Sequence, residues 1–161
     1  MSDPRETAAA PARAGIDPRG PRFGAAITAV LLLLVVFLAL IGADIAATLV
    51  LAGITALFAW GAFAGIRRHP YGRIFQAVIR PRLAAPSETE DPAPPTFAQG
   101  VGLVVTGIGL VLALLGVPAA VPIAATAAFV AALLNAVFGY CLGCQIYVLL
   151  VRARVIRPRA A

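Results

Sequence analysis

The sequence contains no lysine and little charge of any kind. Only 12% of its 161 residues are charged and 61% are hydrophobic, whereas soluble domains average about 25% charged and about 45–50% apolar residues. This composition excludes a water-soluble globule and indicates a single integral membrane domain. No Asp or Glu lies within a long apolar run, which leaves a carboxylate proton relay through the membrane without a candidate.

Cysteine and histidine are also scarce. The chain has two cysteines, Cys141 and Cys144, and one histidine, His69. Two cysteines are too few for a small scaffold held together by disulfides, and two thiolates are half of the ligand set of a structural zinc site. His69 lies in a basic segment, where we predict a residue of the membrane interface rather than a metal ligand. We expect neither a metal site nor a resident cofactor.

Long apolar runs predict an all-α fold with four transmembrane helices. A helix needs about 20 predominantly apolar residues to cross a hydrocarbon core of about 30 Å. The predicted spans are 23–41, 45–66, 97–117 and 122–151. Short connections within each pair of spans predict two antiparallel helical hairpins. Asp44 is expected to cap the second helix, and Thr96 with Gln99 the third.

The distribution of arginine predicts the orientation of these spans. All 13 basic residues are arginines, and they lie in an N-terminal, a central and a C-terminal segment. The two hairpin turns contain none. Because basic residues near span ends are retained in the cytoplasm, both termini and the central loop, 67–96, are predicted to be cytoplasmic. The expected location is the cytoplasmic (inner) membrane.

The chain outside the spans divides into three segments. Residues 1–15 are expected to be disordered, 16–151 to form the membrane domain, and 152–161 to be a basic tail. Part of the central loop predicts a short helix in the membrane interface. Its apolar residues recur at helical spacing: Tyr71, Ile74, Phe75 and Val78. We expect the neighbouring arginines to contact anionic lipids of the bilayer rather than nucleic acid.

Cys141 and Cys144 are the predicted catalytic residues. Cysteines at i and i+3 lie about 5–6 Å apart on one helical face, which suits a reversible disulfide. The predicted topology places them in the cytoplasmic leaflet, where cellular reductants argue against a permanent disulfide. The last apolar stretch is longer than one straight span needs, so it must tilt, protrude or break. A break near Gly139 would put Cys141 at a helix N-terminus, where backbone N–H groups favour the thiolate.

Four neighbouring residues are candidate supporting residues: Gly139, Gly143, Asn135 and Gln145. The two glycines also fit a packing face between helices, and the cysteines can serve as small buried apolar residues. Asn135 would project away from the cysteines on an unbroken helix, where an interhelical hydrogen bond would explain it. Gln145 lies one turn from Cys141 and can form hydrogen bonds near it.

Three segments together resemble a known family. They read Asn135-Ala-Val-Phe-Gly-Tyr-Cys-Leu-Gly-Cys-Gln-Ile-Tyr147, Glu90-Asp-Pro-Ala-Pro-Pro-Thr-Phe-Ala-Gln-Gly100 and Asp17-Pro-Arg-Gly-Pro-Arg-Phe23. Over about residues 16–151 the chain resembles the bacterial membrane family called domain of unknown function 4395, with Thr96 where arginine or lysine is commoner. The resemblance implies no established activity. Members are often encoded beside thioredoxin-like proteins and thiosulfate sulfurtransferases, which implies thiol or sulfur chemistry at Cys141 and Cys144.

Three classes of function remain open at this point. In the first, the cysteines cycle between dithiol and disulfide, or carry a persulfide, by exchange with a cytoplasmic thioredoxin-like or sulfurtransferase partner. Two cysteines form a single dithiol pair and cannot pass electrons to a second pair, so an outside partner is required. Membrane quinone is a conceivable oxidant, although no separate quinone motif is present. The second is a homo-oligomeric transporter or channel for a small sulfur-containing solute. The third is a structural membrane protein whose cysteines only pack.

Overall fold

Six α-helices make up most of the computed structural model, which describes residues 15–157. Their bounds are α1 Arg19–Leu40, α2 Asp44–Ala64, α3 Pro70–Ile74, α4 Ala93–Leu114, α5 Ala120–Phe138 and α6 Leu142–Arg152. Helices α1, α2, α4 and α5 are long and apolar enough to cross a membrane. The predicted all-α fold with four such helices is confirmed. Of the segment 1–15 that was expected to be disordered, residues 1–14 lie outside the described part of the chain, as do the last four residues of the basic tail.

The four long helices form a bundle in which each packs against two neighbours. Helix α1 lies against α2 and α5, and α4 lies against α2 and α5, with the closest pairings between the two predicted hairpins. Leu32, Val35, Leu51 and Ala125 are fully buried in the core. Gly109 of α4 touches Ala124 of α5 so closely that a Cβ atom there would collide. Small residues therefore let the helix backbones approach, as is usual where lipid weakens hydrophobic driving forces.

Both predicted helix caps are wrong. Ala43 precedes α2 and Asp44 is its first residue, without a capping hydrogen bond. Helix α4 begins at Ala93, because two prolines are tolerated in its first turn, where backbone N–H groups lack helical partners. Thr96 is therefore inside the helix, where its Oγ1 donates to the Pro92 carbonyl (2.7 Å) and accepts the Ile66 N–H (3.2 Å). Thr96 thus joins α4 to the chain that leaves α2.

The central loop contains the predicted short helix. Helix α3 continues into a turn of π-helix, Phe75–Ile79, and then a 3-10 turn, Arg80–Arg82. Phe75 is 1% exposed, packs against Gly20 of α1 and has its ring centroid 5.9 Å from that of Phe23. Ile74 and Val78 are exposed. The segment is therefore fastened to α1 by one face and presents apolar side chains on another.

A strap formed by residues 15–18 lies across the central loop before α1 begins. Ile16 and Glu90 exchange backbone hydrogen bonds, from each N–H to the other carbonyl, of 2.8 and 2.9 Å. Arg19, the first residue of α1, donates from Nη2 to the Ala84 carbonyl at 3.0 Å. These contacts fix the loop over the end of the bundle at which α1 and α4 begin and α2 and α5 end, called the loop end below.

Asp17 holds the strap through two arginines, and we expect its loss to open the strap. Its carboxylate is buried and lies 2.7 Å from Arg19 Nη2 and 3.1 Å from Arg80 Nε. Hydrogen bonds from Arg19 hold the pKa of Asp17 below its usual 3.8, against an opposing effect of burial. Because the pKa of Asp17 is lower in the folded than in the unfolded state, its ionised carboxylate stabilises the folded strap at pH values above the unfolded-state pKa. This stabilisation is lost as the pH falls through the folded-state pKa.

Asp17→Asn should therefore cost about 1–3 kcal/mol of local stability at neutral pH. Hydrogen exchange of residues 15–18 and 83–92, corrected for intrinsic rates, measures this opening. The strap of the unmodified protein should open only in acid, whereas the strap of Asp17→Asn should be open at all pH values. Asp44→Asn, at the opposite end of the bundle, is the control. Equal protection in both variants at pH 7 would contradict the role of Asp17.

Candidate functional site

A turn at Gly139 ends α5 and divides the predicted fourth span. Gly139 has φ of 68°, in the left-handed region that glycine adopts without strain. Its N–H donates to the Asn135 carbonyl (3.0 Å), and the Tyr140 N–H donates to the Leu134 carbonyl (3.2 Å), which satisfies carbonyls at the helix end. The long apolar stretch thus breaks, one of the three outcomes that its length predicted, and the chain restarts as α6.

Cys141 occupies the position immediately before α6. Its backbone is extended, and its Sγ accepts a hydrogen bond from the Cys144 N–H at 3.2 Å. The two Cα atoms are 5.2 Å apart, as the spacing predicted, and the cysteines are paired as a disulfide. In the dithiol form, the same helix N-terminus favours a thiolate at Cys141. The local fold therefore brings the pair together and distinguishes one cysteine from the other.

Helix α6 is seated on α4 through a glycine. A Cβ atom at Gly143 would lie 2.6 Å from both Cα and Cβ of Ala98, so the two backbones are in direct contact. Beside this contact, the rings of Phe97 and Tyr147 have centroids 5.6 Å apart. Of the two glycines that fitted a packing face, Gly143 packs and Gly139 forms the turn.

Arg22 of α1 lies beside the turn that precedes the cysteines. Its Nη2 donates to the carbonyls of Ala136 and Val137 at 3.3 and 3.2 Å, at the C-terminal end of α5. Its guanidinium carbon is 3.7 Å from where a Cβ atom of Gly139 would be. Within residues 15–157 no carboxylate pairs with Arg22. Sequence reasoning used this arginine only for topology; its position at the start of an apolar run was the available signal.

A cavity of about 1000 Å³ lies between the helices at the loop end. It is lined by all six predicted site residues: Cys141, Cys144, Gly139, Gly143, Asn135 and Gln145. Its inner part is lined by small and apolar residues of α1, α4 and α5, among them Ala25, Gly102, Val105, Ala128 and Ala132. The space exists because these side chains are too short to fill the gap between the three helices.

Four amide side chains line this cavity without a hydrogen-bond partner among the described residues: Gln76, Gln99, Asn135 and Gln145. Gln76 and Gln145 are exposed, whereas Gln99 of α4 and Asn135 of α5 are half-buried. Every fully buried polar side-chain atom in residues 15–157 has a partner, so the amides of Gln99 and Asn135 are not fully buried. Gln99 also packs against Gly61 of α2, where a Cβ atom would lie 2.8 Å from Gln99 Oε1. The expected interhelical hydrogen bond of Asn135 is therefore wrong. The turn at Gly139 explains the difference, because it brings the cysteines round to the cavity that Asn135 also lines.

His69 lies at the loop end of the same cavity and is only 3% exposed, so it is enclosed by protein. Its Nδ1 accepts the Tyr71 N–H (3.3 Å), which leaves Nε2–H to donate to the Leu57 carbonyl (3.2 Å). Burial lowers the pKa of His69, so the ring is neutral near pH 7. Both nitrogens support the loop, and no group of three metal-ligating side chains occurs in the described residues.

Comparison with known proteins gives one result. The sequence model of a family described as a domain of unknown function (DUF4395) matches residues 16–152. No significant match was found among curated proteins or among solved structures. The match covers residues 16–18 of the strap, all six helices and both cysteines, and it agrees with the resemblance seen in the sequence. The chain therefore belongs to the family of the domain of unknown function DUF4395.

Proposed function

We propose that this protein is a thiol exchange protein of the cytoplasmic membrane, with both termini and the central loop in the cytoplasm. The hydrogen bond from the Cys144 N–H to Cys141 Sγ, at a helix N-terminus that lines an open cavity, is the observation that supports it best. The arginines of the central loop support the orientation. The partner is a cytoplasmic thioredoxin-like or sulfurtransferase protein.

The reaction is a pair of thiol-disulfide exchanges. The Cys141 thiolate attacks one sulfur of the partner's disulfide, the partner's S–S bond breaks, and the released partner thiolate takes up a proton. The Cys144 thiolate then attacks Cys141 Sγ, forms the internal disulfide and releases the second partner thiol. Two electrons pass from the pair to the partner, and the reverse sequence returns them. A Cα separation of 5.2 Å permits the second step without backbone movement.

The same attacking thiolate can carry sulfur. Cys141 attacks the outer sulfur of a partner persulfide, the partner's S–S bond breaks, and the partner leaves as a thiolate. Cys141 then holds the persulfide. Cys144 can release this sulfur as hydrosulfide by attacking Cys141 Sγ, which forms the internal disulfide. Both reactions need Cys141 to attack first and Cys144 to resolve.

Removal of the resolving cysteine should trap the partner. In cells quenched with acid and treated with an alkylating reagent, Cys144→Ala should raise the mixed-disulfide or persulfide form of Cys141 at least about tenfold over the unmodified protein. Cys141→Ala, which lacks the attacking thiol, is the matched control and should trap nothing. Non-reducing gels and mass spectrometry measure the adduct. If neither cysteine is ever found modified, the exchange function is wrong.

Transport is a second candidate, because the cavity is large enough for a small solute and both cysteines line it. Four spanning helices are few for a transporting monomer, so this function requires a homo-oligomer, which chemical cross-linking would detect. Uptake of radiolabelled cysteine or thiosulfate into vesicles would support it if the double variant Cys141→Ala/Cys144→Ala lost that uptake. Uptake that does not depend on the cysteines would exclude their role as binding sites.

A further inference from the structure

The cavity has a polar end and an apolar end, and this division restricts what can occupy it. The cysteines, Gln99 and Asn135 line the polar end, while the apolar part extends to Thr28 and Ala128, near the middle of α1 and α5. Ala127, which is exposed, also lines it. A molecule with an apolar body can therefore place that body between the helices and its polar head beside the cysteines.

The unpaired amides indicate the chemistry of that head. Because the amides of Gln99 and Asn135 are accessible rather than fully buried, each is free to hydrogen-bond a group that enters the cavity. Gln99 and Asn135 lie on different helices, and each can donate an N–H to an acceptor in the cavity. Arg22 lines the same end, and its Nη1 and Nε groups make no hydrogen bond to the described residues. The fitting ligand has an apolar body and carbonyl oxygens.

The need for electron transfer further restricts the chemical class of the ligand. This step rests on the exchange function proposed above. When the cytoplasmic partner reduces the pair, a second reactant must re-oxidise it by accepting two electrons and two protons, and the chain has no second cysteine pair to do so. We propose that the cavity binds a lipid-soluble quinone through Gln99 and Asn135, and that this quinone is the oxidant of Cys141 and Cys144. A quinone supplies the apolar body, two carbonyl acceptors and a capacity for two electrons.

The proposed reaction balances without another reactant. A lone pair of the Cys141 thiolate forms a C–S bond to a ring carbon of the quinone, and the displaced π electron pair of the quinone moves onto a carbonyl oxygen. The Cys144 thiolate then attacks Cys141 Sγ, the S–S bond forms, the C–S bond breaks, and the ring leaves with both electrons. The reduced ring takes up two protons to become the quinol. The pair is then ready for reduction by its cytoplasmic partner.

A binding measurement tests the site without any redox step. The purified Cys141→Ala/Cys144→Ala variant in detergent should bind ubiquinone-1 saturably in calorimetric titration. On that background Asn135→Leu and Gln99→Leu should each weaken binding about fivefold to tenfold, since each removes one hydrogen bond. Ala132→Phe should fill the apolar part and abolish binding. Ala56→Phe, which faces outward on α2, is the matched control and should bind normally.

A second measurement follows the reaction with the cysteines present. The pre-reduced unmodified protein should form about one quinol per disulfide, and Asn135→Leu, with α6 and the cysteines unchanged, should slow this step. Absence of binding, equal binding by Ala132→Phe and Ala56→Phe, or displacement by phospholipid at similar concentration would overturn the proposal. Binding without quinol formation would overturn its redox half. If the Cys144→Ala trap succeeds while quinone fails, the exchange function stands and only this inference is lost.

Discussion

Gly143→Leu should detach α6 from α4 and lower thiol exchange at Cys141 at least about tenfold. A Cβ atom at this position would lie 2.6 Å from the Cα of Ala98, and a backbone atom cannot yield as a flexible side chain can. Overpacking of this kind costs about 1–3 kcal/mol or more. Gly143 adjoins Cys144, so movement of the first turn of α6 also removes the Cys144 N–H from Cys141 Sγ.

A matched glycine separates this effect from the cost of a larger side chain. Gly100 lies on α4 two residues after Ala98, and a Cβ atom there would meet nothing within 4 Å. Gly100→Leu should therefore have about the unfolding temperature and the thiol-exchange rate of the unmodified protein. Both values for Gly143→Ala should lie between those of Gly100→Leu and Gly143→Leu. Thermal unfolding in detergent and thiol exchange with a small disulfide measure both effects. Identical behaviour of Gly143→Leu and Gly100→Leu would show that α6 is not seated through this contact.

The spanning helices and the break at Gly139 could be predicted from sequence because both depend on local properties. Apolar length and the exclusion of arginine mark a span, and the stretch that ends at Val151 was too long for one helix. The start of α4 was predicted too late, at residue 97, because the two prolines before it resemble a loop. They are tolerated in the first turn, where no helical hydrogen bond is lost.

The packing between helices could not be predicted, because these helices are apolar on nearly every side. No apolar stripe distinguishes the face of α1 that meets α5 from its exposed face. The ion pair of Asp17 with Arg80 and the contact of Arg22 with the end of α5 join residues far apart in the chain. Asn135 was assigned to the wrong face for the same reason: its relation to the cysteines depends on the turn between α5 and α6.

The two cysteines should differ in reactivity, with Cys141 alkylated at least about tenfold faster than Cys144 at pH 7. Cys141 Sγ accepts the Cys144 N–H at the start of α6, whereas Cys144 is inside the first turn of that helix and its sulfur accepts no hydrogen bond from residues 15–157. Arg22 adds a positive charge beside the turn that precedes Cys141. Each feature stabilises negative charge on the sulfur that attacks, which raises the fraction of thiolate.

Single-cysteine variants isolate the two rates. Iodoacetamide, which is small and neutral, should modify Cys141 in Cys144→Ala faster than Cys144 in Cys141→Ala, and unfolding in detergent and urea should make the rates equal. Arg22→Gln should slow Cys141 several-fold, whereas Arg73→Gln, an exposed arginine of the central loop, should not. Equal rates in the folded variants would contradict the attacking role of Cys141. The order in which the two cysteines react depends on this difference in rate, because the attacking cysteine meets the partner first. The direction of sulfur or electron transfer depends on that order.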